Sequence, residues 1–408
     1  MTFPRFSSRQ LIGFWLLTRL GMLVLTALYF QGDCGTYFRQ GRSWLDGQIP
    51  YRDYPVEYPP AATTVFALLA VVGSHARFRV AFIVLTLLLD CLCLTLLLRR
   101  TSPPDAPPGP VGGAQVPPAL VYAAASAPLF PVLFVRFDLL PAVACLAGLL
   151  ALARARPPLN GATAMAVGAA LGLAIALKLY PLLLVPFLAL YWHRSGLGMR
   201  SAALAMAAAA AVVIGSFLPV WVAGAGTAAF DFLRYQGERG IQLESSYASL
   251  MLLANQLAPF GLVHHASHSA HDVVGPGVQT ASALAKLLQP LSVLAISWLA
   301  HRRRLPLLPA CAAVLATALL TANVFSPQFL IWLLPLAAVG LARTVPAGPL
   351  ALVAMTALTA AIFPALYPRL IEGTTVAVLV LFARNLLLAV VLVQLLRAPP
   401  DGDQPRRR

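Results

Sequence analysis

The sequence predicts an all-α, polytopic membrane protein of about twelve transmembrane helices, with amphipathic or re-entrant helices in its first outer loop. Three observations predict it. Of the 408 residues, 59% are hydrophobic and only 11% charged, with a mean hydropathy of +0.79. Apolar runs near the ~20 residues that cross a bilayer recur along the chain. Most of the Lys and Arg behind the net charge of +15 lie in short segments between those runs, where they encode topology. That placement excludes the nucleic-acid partner that so basic a soluble protein would imply. The five cysteines (Cys34, Cys91, Cys93, Cys145, Cys311) fall mostly inside predicted spans and form no disulfide framework. No soluble stretch is long enough to stand alone, so 1–408 reads as a single transmembrane domain.

The positive-inside rule orders the elements. Arg5 and Arg9 place the N-terminus in the cytoplasm, and the first helix, about Leu11 to Phe30, delivers the polar stretch 31–60 outside. No small-residue cleavage site follows that helix, so it reads as retained. Ala61–Gly73 is too short to cross and reads as re-entrant or surface-lying; Phe78–Leu98 returns to Arg99 and Arg100. The Pro-rich stretch 99–117 is a cytoplasmic linker. Helices near Pro118–Val135 and Leu139–Ala153 flank the outer turn Arg136-Phe137-Asp138. Those near Gly161–Leu177 and Leu179–Tyr191 meet at Lys178-Leu179-Tyr180-Pro181. Ser201–Val222 leads to a second long outer loop, 223–276, and Gly277–Ala300 comes back to the inner cluster His301-Arg302-Arg303-Arg304. Leu305–Thr321, Gln328–Leu341 with Arg343 at its inner end, Ala347–Leu366 and Thr374–Arg397 complete the set, ending in a basic cytoplasmic tail, 398–408. Both long loops and the polar turns then open on one face, away from cytosolic nucleotide sugars.

Arg19 and Asp90 are intramembrane charges, each about 12 Å from the cytoplasmic end of its helix, and are expected to pair or to share a network. Arg384, Asn385 and Lys178 have no carboxylate neighbour in sequence. Arg384 and Lys178 suit a lipid phosphate by charge and donor geometry; burial against a carbonyl or Asp is the other reading of Arg384, and snorkelling that of Lys178.

The first loop gathers Asp33, Asp46, Asp53 and Glu57 with Tyr37, Trp44, Tyr51, Tyr54 and Tyr58, four of the chain's 14 acidic residues in one segment. Asp33 precedes an amphipathic stretch, Thr36–Asp46, whose Tyr37, Trp44 and Leu45 would lie on the membrane while Arg39 and Arg42 meet headgroups. Asp33 either caps that helix or does chemistry. The segment Arg234–Ser245 of the second loop is dense in polar groups, and His264, His265, His268, His271 and Asp272 recur at helical spacing, which would let some converge on a metal.

The pattern Asp33…Tyr37…Gly41…Leu45-Asp46-Gly47…Pro50-Tyr51…Asp53 directly after the first span resembles the first outer loop of glycosyltransferase family 87, in the GT-C superfamily. Gly172-Leu173-Ala174…Lys178-Leu179-Tyr180-Pro181-Leu182-Leu183 is similar to that family's helix-ending Lys-x-x-Pro segment. Ser326-Pro327 followed by Trp332-Leu333-Leu334-Pro335 is similar to its late Ser-Pro segment, and Glu57-Tyr58-Pro59-Pro60 occurs in related membrane proteins. After Ser-Pro the family carries Asp-His-His, where this chain has Gln328-Phe329-Leu330. The resemblance implies transfer of a hexose, often mannose, from a polyprenyl-phosphate donor to a lipid or glycan acceptor, with Asp33 as general base and neither metal, nucleotide nor other cofactor required. Arg136, Lys178, Arg239 and Arg384 are then the candidates for the donor phosphate. Tyr37, Asp53, Glu57, Tyr58, Asp138, Glu238 and Gln328 are the candidates for the acceptor. Membrane lipids are the remaining partners, and the expected location is the plasma membrane. The alternative is a multi-pass transporter or lipid flippase of the cell envelope, for which repeats and midplane polar sites on broken helices are the expected marks.

Overall fold

A backbone in lipid must satisfy its own hydrogen bonds, and the chain does so almost entirely as helix. The computed structural model describes residues 6–29, 32–99, 116–267, 270–342, 344 and 346–399. In chain order these form α1 (Ser8–Tyr29), α2 (Cys34–Leu45), α3 (Pro60–Ala70), α4 (His75–Leu98), α5 (Pro118–Ser126), α6 (Leu139–Ala153), α7 (Gly161–Leu177), α8 (Val185–Arg194) and α9 (Met199–Val222). There follow α10 (Asp231–Glu238), α11 (Ser246–Leu257), a hairpin of β1 (Val263–Ser267) and β2 (Ala270–Val274), α12 (Val278–Arg302), α13 (Leu307–Thr321), α14 (Leu330–Leu341), α15 (Ala347–Ala360), α16 (Tyr367–Ile371) and α17 (Thr375–Leu396). Most of the expected linker 99–117 and tail 398–408, together with Arg5, Arg100, Arg343 and His268, lies outside the described residues.

Six helices are long and apolar enough to cross a membrane among the described residues: α1, α4, α9, α12, the run Ala347–Ile371 and α17. Their outward faces are apolar, as at Leu17 (71% exposed) and Val222 (79%), which suits lipid rather than water. These account for six of the twelve expected crossings. The other apolar helices span 10–17 residues, less than a ~30 Å hydrocarbon core requires. One of them, α13, is buried on every side from Leu307 to Leu319, as a helix apolar all round should be.

The chain divides into two compact units, the first made of Met1–Val24, Leu94–Pro131 and Arg239–Arg408, the second of Leu25–Cys93 and Val132–Glu238. In the first, α13 packs against α12, α14 and α17, and α15 against α17 and α5. In the second, α7 lies between α6 and α9, and α2 lies along α3. The core of this second unit is aromatic, built on Tyr37, Phe66, Phe78, Phe82 and Phe137.

Three local expectations are corrected. The run Pro118–Val135 is not one helix: α5 stops at Ser126, a 3-10 turn covers Ala127–Leu129, and Phe130–Asp138 is irregular. Pro128 and Pro131 carry no N–H to continue the ladder. Likewise Tyr180–Leu184 is a 3-10 turn ahead of α8. His264, His265 and His271 are on strands, with His265 opposite Asp272 and Ala266 opposite His271, so their helical spacing is coincidental. Among the described residues no three His, Cys, Asp or Glu side chains converge as a metal site would require.

Arg19 and Asp90, buried at 2% and 0%, fall in different units. Within its own unit, the Arg19 guanidinium donates to Ser126 Oγ (2.7 Å) and to the Ala123 carbonyl (3.2 Å), between the rings of Trp15 and Tyr122.

Candidate functional site

Asp33 occupies the position before the first turn of α2, yet its side chain makes no capping hydrogen bond. The helix-cap reading therefore falls away. Its Oδ2 instead receives the Arg136 guanidinium as an ion pair, and the Tyr37 hydroxyl donates to the same oxygen at 3.4 Å. Its Oδ1 accepts no hydrogen bond among the described residues, and the side chain is 26% exposed.

Two glycines make this placement possible. Gly32 sits at φ +55, and any Cβ there would collide with the Val135 side chain, so only Gly lets the Asp33 N–H reach the Val135 carbonyl (3.3 Å). Gly41 lies directly against the Phe66 backbone of α3, where a Cβ would clash with the carbonyl. The close approach turns Tyr37 inward, stacked on Phe66 with ring centroids 4.4 Å apart. Tyr37, expected on the membrane surface, is instead completely buried, while Leu45 stays 45% exposed.

Tyr37 and Tyr58 share a hydrogen bond between hydroxyls at 3.1 Å, and the Phe137 N–H donates to Tyr37 Oη at 3.4 Å. Burial among Phe66, Phe82 and Phe137 pushes both phenols well above their ordinary range, so they remain donors. Burial likewise pushes the Cys34 thiol up to about 11, which leaves it an inert packing group.

The turn that brings Arg136 also brings Asp138. Its Oδ1 pairs with Lys178 Nζ at 2.7 Å, with the carboxylate side chain 1% exposed and the lysine 16%. Lys178 lies 5.3 Å from the centre of the Tyr58 ring. Asp33, Arg136, Tyr37, Tyr58, Lys178 and Asp138 thus form one connected cluster within the second unit. Glu57 is at its edge: the carboxylate is half-buried, raises both tyrosines through its charge, and makes no hydrogen bond or ion pair among the described residues.

Other candidates are engaged elsewhere. Asp53 accepts from Arg52 Nε (2.8 Å) and the Ile49 N–H (2.7 Å), and Arg52 and that N–H hold its carboxyl below the usual range. It shapes a turn. Glu238 pairs with Arg234 at 2.7 Å on an exposed face. Arg239, Gln328 and Arg384 belong to the first unit. There Arg384 is fully buried, donates to the Glu244 carbonyl at 2.9 Å, lies 3.9 Å from the Glu244 carboxylate and stacks 4.0 Å over Phe325. Gln242 and Asn323, not singled out as site residues from sequence, pin the Arg239 segment. Their only advance signal is the polar density around Arg234–Ser245 and Asn323–Ser326.

A model of glycosyltransferase family 87 matches residues 57–327, about two-thirds of the chain. The match includes Glu57, Arg136, Asp138, Lys178 and Arg239; Asp33, Gln328 and Arg384 fall outside it. No curated protein and no solved structure matched.

Proposed function

Because the chain belongs to glycosyltransferase family 87, we propose that it transfers a hexose, mannose in particular, from a polyprenyl phosphate to a lipid or glycan acceptor on the extracytoplasmic face of the plasma membrane, with both termini cytoplasmic. Family membership supports the enzyme over the transporter or flippase reading. The observation that carries the mechanism is the Asp33 carboxylate, released from any capping duty, with one oxygen held by Arg136 and Tyr37 and the other open.

Asp33 takes the proton of the acceptor hydroxyl as that oxygen attacks the anomeric carbon. The bond from carbon to phosphate oxygen breaks, its electron pair leaves on the polyprenyl phosphate, and a single displacement inverts the centre. The leaving phosphate gains a charge, for which Arg136 and Lys178, in the same unit as Asp33, are the available cations. The aromatic wall of Tyr37, Tyr58, Phe66 and Phe137 lowers the local dielectric and strengthens each of these interactions.

The test is transfer from labelled polyprenyl-phosphate sugars into membrane lipid extract. Asp33→Asn is expected to lose about 10²–10⁴-fold in turnover while remaining folded. Normal turnover by Asp33→Ala removes Asp33 from the mechanism.

A further inference from the structure

The last turn of α9 and the run after it carry apolar side chains that the protein leaves uncovered. Trp221, Val222, Phe230 (44% exposed) and Leu233 (49%) all stand open. They form one surface. Phe230 folds back on α9, its ring centroid 5.0 Å from that of Phe217 and 6.2 Å from that of Trp221, and Leu233 follows it by three positions on the same side of the helical run 226–238. Ile214 and Leu218, both exposed, continue that surface along α9, which is long and apolar enough to cross a membrane.

Around α10 the side chains divide three ways. Phe232 is buried and turned toward Tyr51, ring centroids 6.2 Å apart, and Gln236, four positions on, donates to the Glu57 carbonyl at 3.2 Å. Asp231, Arg234 and Glu238 make an exposed charged edge, on which Arg234 and Glu238 pair at 2.7 Å. Phe230 and Leu233 lie between the inward side and that edge. In water the exposed Phe and Leu would be a liability; in the plane of a bilayer surface a helix needs all three sides.

We propose that the corner between α9 and α10 is a membrane-docking surface. The helix α10 lies at the boundary between headgroups and acyl chains, with Phe230 and Leu233 turned into the lipid, Trp221 at headgroup level and the charged edge toward water. The occupant is lipid because the patch is continuous with the exposed apolar side of a membrane span. Apolar insertion holds it: α10 carries two acids and one arginine, so anionic headgroups add no attraction. Through Phe232 and Gln236 the docked helix also grips the first loop at Tyr51 and Glu57. The surface stands on exposure and packing, and does not use the transferase reading.

The experiment labels Leu233→Cys of the full chain with the environment-sensitive dye NBD, in phosphatidylcholine nanodiscs, with the parent's background labelling subtracted. The dye is expected to emit to the blue and to be quenched at least about threefold more by a lipid nitroxide near the top of the acyl chain than by aqueous iodide. Arg234→Cys, labelled alike, is expected to show the reverse preference. Replacing half the phosphatidylcholine with phosphatidylglycerol is expected to change neither. The proposal is overturned if iodide quenches the dye at 233 as strongly as at 234, which places α10 in water. It is equally overturned if the dye at 233 is shielded from both quenchers, which means that protein, such as a second copy of the chain, covers the patch, or if its insertion requires the anionic lipid. Loss of the transferase reading would leave these results intact.

Discussion

Asp138 and Lys178 meet at 2.7 Å with the acid 1% and the base 16% exposed, and this pair gives a quantitative handle on the site. Removing one member of a buried pair costs about 3–5 kcal/mol, because the survivor keeps its charge without its partner. The residual exposure of Lys178 and its place by the Tyr58 ring, worth about 0.5–2 kcal/mol, soften the loss when the acid is removed. Asp138→Leu is therefore expected to cost about 2–4 kcal/mol, and Lys178→Met, which strands the more deeply buried carboxylate, about 3–5 kcal/mol. In the double variant no charge is left behind, so its loss should fall short of the summed single losses by about 2 kcal/mol or more. Denaturant titration of the detergent-purified protein at neutral pH, followed by tryptophan fluorescence, measures all four corners. Simple additivity within about 0.5 kcal/mol would refute the claim that these two charges act as a unit.

Gly41→Ala is expected to destabilise by about 1–3 kcal/mol and to lower transfer, since its Cβ meets the Phe66 carbonyl and shifts α2 with Asp33; thermal melts and turnover check both. Tyr58→Phe removes the 3.1 Å bond to Tyr37, an expected loss of about 0.5–1.5 kcal/mol by the same titration. Asp53 is held below its unfolded value of 3.8 by Arg52 and the Ile49 N–H, so its contribution is complete above that value and is lost as pH falls through the folded one; Asp53→Asn should flatten the melting temperature there. His264 is held below 6.5 by burial and by His271, so its neutral form favours the fold above 6.5 and that contribution fades as pH falls through its folded value. His264→Gln should reduce the acid sensitivity of the melt.

The membrane class and the grouping of Asp33 with the turns at 136–138 and 178–181 were legible because hydropathy and charge placement are properties of local sequence. Who pairs with whom was not. Arg136 lies 103 residues from Asp33, and Lys178 lies 40 from Asp138, so neither contact leaves a local pattern. Tyr37 read as a lipid-facing residue of an amphipathic helix because the pattern shows that a helix has two faces and not which face meets protein. The answer lay in Gly41, whose missing side chain admits α3. Proline misled the reading at Pro128 and Pro131, where a hydropathy run continues although a hydrogen-bond ladder cannot. The histidines at 264, 265 and 271 fit a helix by spacing alone, and only strand pairing decided against it.

The contact between Asp33 and Arg136 also sets an order of events. The guanidinium occupies one carboxylate oxygen, so it can face another anion only by giving up or sharing that contact. An anion that drew Arg136 aside would leave that oxygen with the Tyr37 hydroxyl, 3.4 Å away. Asp33 would then be freed only once such an anion had arrived, which ties its availability to the occupancy of Arg136.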